Sequence, residues 1–496
     1  LNTRRNIRTV IIVFTVMFSV LLIYMAYAVN TYGNRWFTNV YNPRLEQQRS
    51  NVVAGSILDR NGVVLAETNS DGERVYNSND SIRTAVSHVV GDNLGLTTAG
   101  VESFFAQYLL GFNESIIERL YQTLSGSKRY GSNVVTTIDA KLCAYASDVM
   151  GSVKGAVVVL NYKTGEILCM VSHPTFDPND IEQYLKEDAE DTTALVNRAV
   201  MGRYTPGSVF KIVTASAAIR NISDINTRKY DCVGPLVFDA TTKKYLENII
   251  VTAEQDTEEN AEIYKDYLFL RDYAREYHGE RTFSQAFASS CNTTFGRIGM
   301  QVGSGLLLRM AESLGFNEDF VFDEVMLYPS SFEAATTDVN VAWSAVGQYT
   351  DIVTPLHMCM ITAAIANDGV MMEPKIMKRI TNARGYQIES LKPEIFKTPL
   401  SASEAEQLRE LMYGVVKSGT GTSAKISGYK VGGKTGTAEI TGEDGKNTTN
   451  AWFTSFIYDE DHPLAIAIVL ENGSTGGKTA APAAAKILKK AIEYGY

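Results

Sequence analysis

The chain has 496 residues, too many for one typical core, so two or three domains are expected. Its composition is that of a folded protein. A net charge of −10 excludes nucleic-acid binding as the default, since such proteins carry a basic face.

Arg4, Arg5 and Arg8 precede an uncharged apolar run from Thr9 to Val29. As a helix that run rises roughly 31 Å, enough to cross a bilayer. It is apolar on every face, unlike an amphipathic helix docked on a soluble core. The arginines put the amino terminus in the cytoplasm and the chain after the run outside. A cleavable signal peptide is the rival, with "AYA" at Ala26–Ala28 as its cleavage site, but the run exceeds the roughly 7 to 15 apolar residues of such signals. Residues 1–8 therefore read as a cytoplasmic tail and 9–29 as a single-pass membrane anchor.

Beyond the anchor, "GSILDRNGVVLAET" predicts two short strands around an Asn61-Gly62 turn. "TAGVESFFAQYLLGF" predicts an amphipathic helix, and residues 30–131 are taken together as one mixed, β-rich region. A second region, 132–496, opens with a strand and helix in "VVTTIDAKLCAYASDVM". It continues with two alternating apolar runs in "GAVVVLNYKTGEILCMVSH", whose tip carries Lys163-Thr164-Gly165 as turn chemistry. The acidic stretch "AEQDTEENAEIYKDY" reads as a solvated insertion. A last hairpin, "AWFTSFIYDEDHPLAIAIVLENG", and a closing helix, "AAPAAAKILKKAIEYGY", put strands at both ends of this region with helices between them. That order implies an α+β domain whose sheet is closed by sequence-distant strands.

Five cysteines (Cys143, Cys169, Cys232, Cys291, Cys359) are too few for a disulfide scaffold, although one bridge is compatible with the count. No Cys/His spacing resembles a zinc site, so neither metal nor cofactor is expected. The scattered histidines give no support to a Ser-His-Asp enzyme.

Chemistry concentrates in three short motifs of the second region: Ser208-Val209-Phe210-Lys211, Ser290-Cys291-Asn292, and Lys434-Thr435-Gly436-Thr437. Ser-x-x-Lys also occurs at Ser125–Lys128 and Ser427–Lys430, both in polar, glycine-rich settings that read as loops. Pro206 and Gly207 put Ser208 at a helix start, where free backbone N–H groups favour an oxyanion. Lys211 follows one turn on, facing the serine. Val209, Phe210, Ile212 and Val213 desolvate its ammonium, which lowers its pKa and lets it act as a base. Ser290 and Asn292 form a polar wall that passes a proton to a leaving amine and orients Lys211, although "SSCN" taken alone is more often a helix cap. On a strand, Lys434 and Gly436 face one way and Thr435 and Thr437 the other. Gly436 allows close approach, Lys434 and the threonines suit a substrate carboxylate, and the Thr437 N–H completes an oxyanion hole with that of Ser208.

This trio, in this order, resembles the signature of penicillin-binding proteins and β-lactamases. With "GSILDRNGVVLA", "VVTTIDAKLCAYA", "AVGQYTDIVTPLHM" and "AWFTSF", the chain is similar over nearly its whole length to class B penicillin-binding proteins. "SHVVGDNLGLTTAGVESFFAQYLLG" resembles the penicillin-binding protein A subgroup. The resemblance implies a membrane helix, an elongated non-catalytic pedestal over 30–131, and a transpeptidase domain over 132–496 with an antiparallel sheet flanked by helices. It also implies peptidoglycan D,D-transpeptidation by Ser208, Lys211, Ser290, Asn292 and Lys434, with Thr435, Gly436 and Thr437 binding substrate. Stem peptides and β-lactams are the implied ligands, a SEDS-type glycan polymerase the implied partner, and the outer face of the cell membrane the implied location. A membrane-anchored β-lactamase or β-lactam sensor is the alternative. Family pedestals often carry arginine before the glycine where Ala54 stands.

Overall fold

The computed structural model describes residues 3–37, 52–112, 129–186, 193–441 and 447–496. The apolar run lies within a single helix, Thr3–Phe37. Its Arg4–Val29 segment has a mean hydropathy of 2.5, and its apolar side chains other than Ala28 are exposed, as suits a helix solvated by lipid.

The second region is built on a five-stranded sheet in the order Val431–Thr441, Asn447–Ile457, Leu464–Leu470, Gly155–Asn161, Ile167–His173. Every neighbouring pair is antiparallel, and strands from the two ends of the region meet where Leu464–Leu470 lies beside Gly155–Asn161. The expected closure by sequence-distant strands is therefore present. On one face lies the Pro355–Ala366 helix, all of whose residues are buried, packed on the three inner strands. On the other lie the closing helix Ala481–Glu493 and the Ala140–Met150 helix, the latter capped by the Asp139 carboxylate on Leu142 N at 2.8 Å. A helix buried on both flanks has no polar stripe, which is why its sequence shows no amphipathic period.

A second, six-stranded sheet has the order Gln387–Ser390, Met377–Thr381, Asn133–Thr136, Ile57–Leu58, Val64–Thr68, Arg74–Tyr76. The Asn61-Gly62 hairpin forms as expected: Gly62 adopts φ 88°, and the Asp59 carboxylate accepts from Asn61 N and Val63 N, both at 2.8 Å. Asn133–Thr136 pairs parallel with Ile57–Leu58 and antiparallel with Met377–Thr381, so this sheet draws strands from both sides of residue 131.

Two expectations are corrected. The helix expected over 98–112 is two single turns, Val101–Phe104 and Ala106–Leu109, with Phe105 between them out of helical geometry. Val101, Phe104, Phe105, Leu109 and Leu110 are all buried, so tertiary packing rather than one apolar stripe sets the path, and Glu102 is held by Arg74 at 2.7 Å. The acidic stretch is not solvated throughout. Asp256 is buried and accepts from Arg271 Nε at 2.9 Å and from the Tyr277 hydroxyl at 2.6 Å, while Glu254, Glu258, Glu259 and Glu262 are exposed. All five cysteines are free and buried.

Candidate active site

Ser208 lies in a 3₁₀ turn, Gly207–Phe210, that runs into the helix Lys211–Asn221. Gly207 takes φ 55°, a region that favours glycine, and donates its N–H to Gly347 O at 2.9 Å. Gly347 must itself be glycine: its φ is 80°, and a Cβ there would stand 2.1 Å from Gly207 O. The Trp452 indole fixes the same arm through Thr205 O at 3.1 Å. At Gly436, a Cβ would lie 3.0 Å from both Pro206 O and Val209 Cγ1, so the missing side chain lets the Ser208 turn sit against the strand.

Lys211 is fully buried. Its Nζ donates to Ser208 Oγ at 3.1 Å, Asn292 Oδ1 at 2.6 Å, Ser290 O at 2.5 Å and Ser290 Oγ at 3.2 Å. Burial lowers its pKa to about 8, against the pull of Asp272 and the nearby thiols. Lys434, also fully buried, donates to Ser290 Oγ at 2.8 Å and Thr435 O at 3.0 Å. Burial, and then the charge of Lys211, hold its pKa well below the usual lysine value.

Ser290 joins the helices Phe283–Ala288 and Asn292–Val302 with φ 59°, a left-handed conformation that costs a non-glycine residue about 1–3 kcal/mol. That turn aims both its carbonyl and its hydroxyl at the lysines. Within "SSCN" the cap and the contact with Lys211 are divided between residues. Cys291 Sγ caps the next helix on Thr294 N at 3.3 Å, while Asn292 spends its oxygen on Lys211 and its Nδ2 on Arg271 O at 2.8 Å.

The side chains alternate along the strand as expected. Thr435 Oγ1 pairs with Thr420 Oγ1 at 2.5 Å, Thr437 Oγ1 accepts from Gly476 N at 3.5 Å, and Gln348 Nε2 donates to Thr437 O at 3.2 Å. Ser208, Lys211, Ser290, Asn292 and Lys434 thus meet in one hydrogen-bonded chain, bordered by Thr435, Gly436 and Thr437. Lys430 of the second Ser-x-x-Lys is paired at the surface with Glu410 at 3.2 Å, and Ser125–Lys128 lies outside the described residues. Lys163 and Thr164 are in a turn closed by Asn161 Oδ1.

With this geometry in place, comparison with known proteins is decisive. The family model "Penicillin binding protein transpeptidase domain" matches residues 155–231 and 240–489. The chain belongs to the penicillin-binding protein transpeptidase family. Peptidoglycan D,D-transpeptidase PbpA of Mycolicibacterium smegmatis is 29% identical over 477 residues, covering 90% of each chain. A D,D-transpeptidase domain structure from Eggerthella lenta is 30% identical with TM-score 0.74, over 90% of this chain and 99% of that one. Penicillin-binding protein A of M. tuberculosis, solved as a ceftriaxone acyl-enzyme complex, is 25% identical with TM-score 0.76, over 90% of this chain and all of that one.

Behind the wall of this penicillin-binding domain, the fold gathers residues that no sequence spacing reveals. Asp272 Oδ1 accepts from Asn292 N; its Oδ2 accepts from Cys232 Sγ at 3.0 Å and Cys291 Sγ at 3.4 Å and lies 3.7 Å from His278 Nδ1. The four donor atoms are all within 4.8 Å of one another. Ligands on tetrahedral zinc sit roughly 3.2–3.8 Å apart, and two thiolates, an imidazole and a carboxylate are a set that zinc accepts. Cys232, Asp272, His278 and Cys291 can hold such an ion, whose part there would be structural, tying the Ser290–Asn292 loop to the Lys229–Cys232 strand. Hydrogen bonds from His278 to Asp272 and Cys291 raise its pKa to about 9. Burial opposes a charge on Cys291, but bonds from Cys232 and His278 bring its pKa below the usual thiol value.

Proposed function

We propose that this protein is a membrane-anchored serine D,D-transpeptidase whose nucleophile is Ser208, acting on the D-Ala-D-Ala end of a peptidoglycan stem peptide and acylated by β-lactams that mimic it. The hydrogen-bonded chain from Ser208 through Lys211 to Ser290 and Lys434 is the observation that carries this reading. Neutral Lys211 takes the Ser208 hydroxyl proton as Oγ attacks the penultimate D-Ala carbonyl. The oxyanion is held by the N–H groups of Ser208 and Thr437. Ser290 Oγ accepts from both lysines, so its own proton is free to pass to the leaving D-Ala amine, and Lys211 restores it. Asn292 fixes the Lys211 amine. Lys434, Thr435 and Thr437 meet the terminal carboxylate, while Gly436 seats the nucleophile's turn on the strand. An acceptor amine then takes the acyl group by the reverse proton path.

The same reading divides the chain into a cytoplasmic tail (1–8), an anchor (9–29), an extracytoplasmic pedestal (30–131) and a transpeptidase domain (132–496). A SEDS-type glycan polymerase is the proposed partner, engaged through anchor and pedestal. Replacing the segment before residue 130 then abolishes its co-purification and leaves penicillin binding intact. The β-lactamase alternative differs in the fate of the ester. Labelled penicillin is expected to modify Ser208 stoichiometrically and to remain after free drug is removed, and Ser208→Ala to abolish labelling. Rapid turnover of penicillin would sink the transpeptidase reading.

A further inference from the structure

Cys232 and Cys291, the second of them within the loop that carries Ser290 and Asn292, reach one carboxylate oxygen. Cys232 ends a strand paired with Gly279–Thr282, and Cys291 is the middle residue of the loop. Both sulfurs contact Asp272 Oδ2, at 3.0 and 3.4 Å. Such a metal centre depends on both thiols, because without them only one imidazole and one carboxylate remain.

We propose that this thiol pair is a redox switch: as thiolates, Cys232 and Cys291 join His278 and Asp272 around a zinc-type ion, and as a disulfide they expel it and draw the Ser290–Asn292 loop away from Lys211. The sulfurs already converge, so rotation of two short side chains brings them toward the roughly 2 Å of a disulfide. Asp272, which both sulfurs contact, leads directly into an exposed segment: Tyr273, Ala274, Arg275 and Glu276 are all exposed, and Ala274 and Arg275 hold left-handed φ of 54° and 57°. A strained surface segment of this kind opens locally at low cost, which admits an oxidant as small as hydrogen peroxide. Cys143, Cys169 and Cys359 sit elsewhere, on the Ala140–Met150 helix, the Ile167–His173 strand and the Pro355–Ala366 helix.

The oxidation balances with peroxide as the oxidant. One thiolate attacks a peroxide oxygen and breaks the O–O bond, giving a sulfenic acid and a hydroxide that takes a proton to become water. The second thiolate attacks that sulfur, the S–S bond forms, and the departing hydroxide also becomes water. Two electrons have left the sulfur pair, and the ion, short of two ligands, is released. A dithiol reductant reverses the bond by exchange.

The effect on acylation rests on the transpeptidase reading above, whereas the thiol chemistry does not. The full chain, purified in detergent and loaded with zinc, is titrated with hydrogen peroxide. Metal release is followed with a chromogenic chelator, cross-links by peptide mapping, and acylation with a fluorescent penicillin. About one zinc ion per chain is expected to leave as a Cys232–Cys291 cross-link appears. Acylation is expected to slow by roughly tenfold or more as Lys211 loses its partners, and to recover with dithiothreitol and zinc. In Cys232→Ser, the acylation rate relative to its own untreated value is expected to resist peroxide. A chain that binds no zinc, a cross-link between Cys143 and Cys169 instead, or a complete Cys232–Cys291 bond with unchanged acylation would each overturn the proposal. Failure of the untreated protein to label at Ser208 would count against the transpeptidase reading, leaving metal release and mapping to decide the switch.

Discussion

Lys211 and Lys434, two fully buried lysines, donate to the same oxygen, Ser290 Oγ, at 3.2 and 2.8 Å. Burial disfavours the charge on each, and at Lys434 the neighbouring charge of Lys211 adds to the effect, so both have lowered pKa values. The serine between them is expected to be chemically indispensable. Ser290→Ala should reduce β-lactam acylation by roughly 10²-fold or more while the far-ultraviolet spectrum is unchanged. A rate within threefold of the native enzyme would remove Ser290 from the proton path.

Acylation should depend on pH in one direction. With the Lys211 pKa lowered to about 8, its ammonium dominates at neutral pH and the amine that accepts the Ser208 proton is the minor form. The acylation rate constant should therefore rise with pH below about 8 and level off above it. A profile that falls across the same interval would assign the base elsewhere.

Gly347 tests how the nucleophile is held. Alanine there must adopt φ 80° with its Cβ 2.1 Å from Gly207 O, so backbone has to move. Gly347→Ala should lower stability by about 2–4 kcal/mol and slow acylation at Ser208. Thermal melting and labelling kinetics measure both, and a variant normal in each would show that the Gly207 turn does not need this support.

Asp256 and Glu259 separate the buried part of the acidic stretch from its solvated part. Asp256 is 4% exposed and holds Arg271 and Tyr277, whereas Glu259 is exposed. Asp256→Ala should cost about 2–4 kcal/mol, and Glu259→Ala should stay within about 0.5 kcal/mol in denaturant titration. Equal effects would contradict the division.

The proposed membrane orientation rests on Arg4, Arg5 and Arg8 ahead of the uncharged run. Protease added to intact protoplasts should remove nearly all of the chain. Protection of the Ser208 domain, or a soluble product cut after Ala28, would contradict an anchored, outward-facing enzyme.

How much of this was legible beforehand varied with the range of the interaction. The turn at Asn61-Gly62 and the apolar pairing of Gly155–Asn161 with Ile167–His173 depend on neighbours in sequence, and each was readable. The motifs holding Ser208, Lys211, Ser290, Asn292 and Lys434 stood out because each is short, although the convergence of Lys211 and Lys434 on Ser290 Oγ did not. Asp272 carried no signal at all: its partners Cys232, His278 and Cys291 come from separate elements, and only the fold makes them neighbours. The segment over 98–112 misled because burial on several sides imitates an apolar stripe when only composition is visible. Gly347 and Gln348 lay in a recognisable stretch, but nothing local shows that one supports Gly207 and the other Thr437.

The position of Asn133–Thr136, flanked by Ile57–Leu58 on one side and Met377–Thr381 on the other, has a mechanical consequence. Load applied to the strands before residue 131 travels through peptide ladders rather than a slack tether. The region after residue 131 should therefore tilt with them as one lever. For the same reason, a fragment beginning at residue 132 would expose the bare flank of a once-interior strand, a surface that invites a second copy to dock edge to edge.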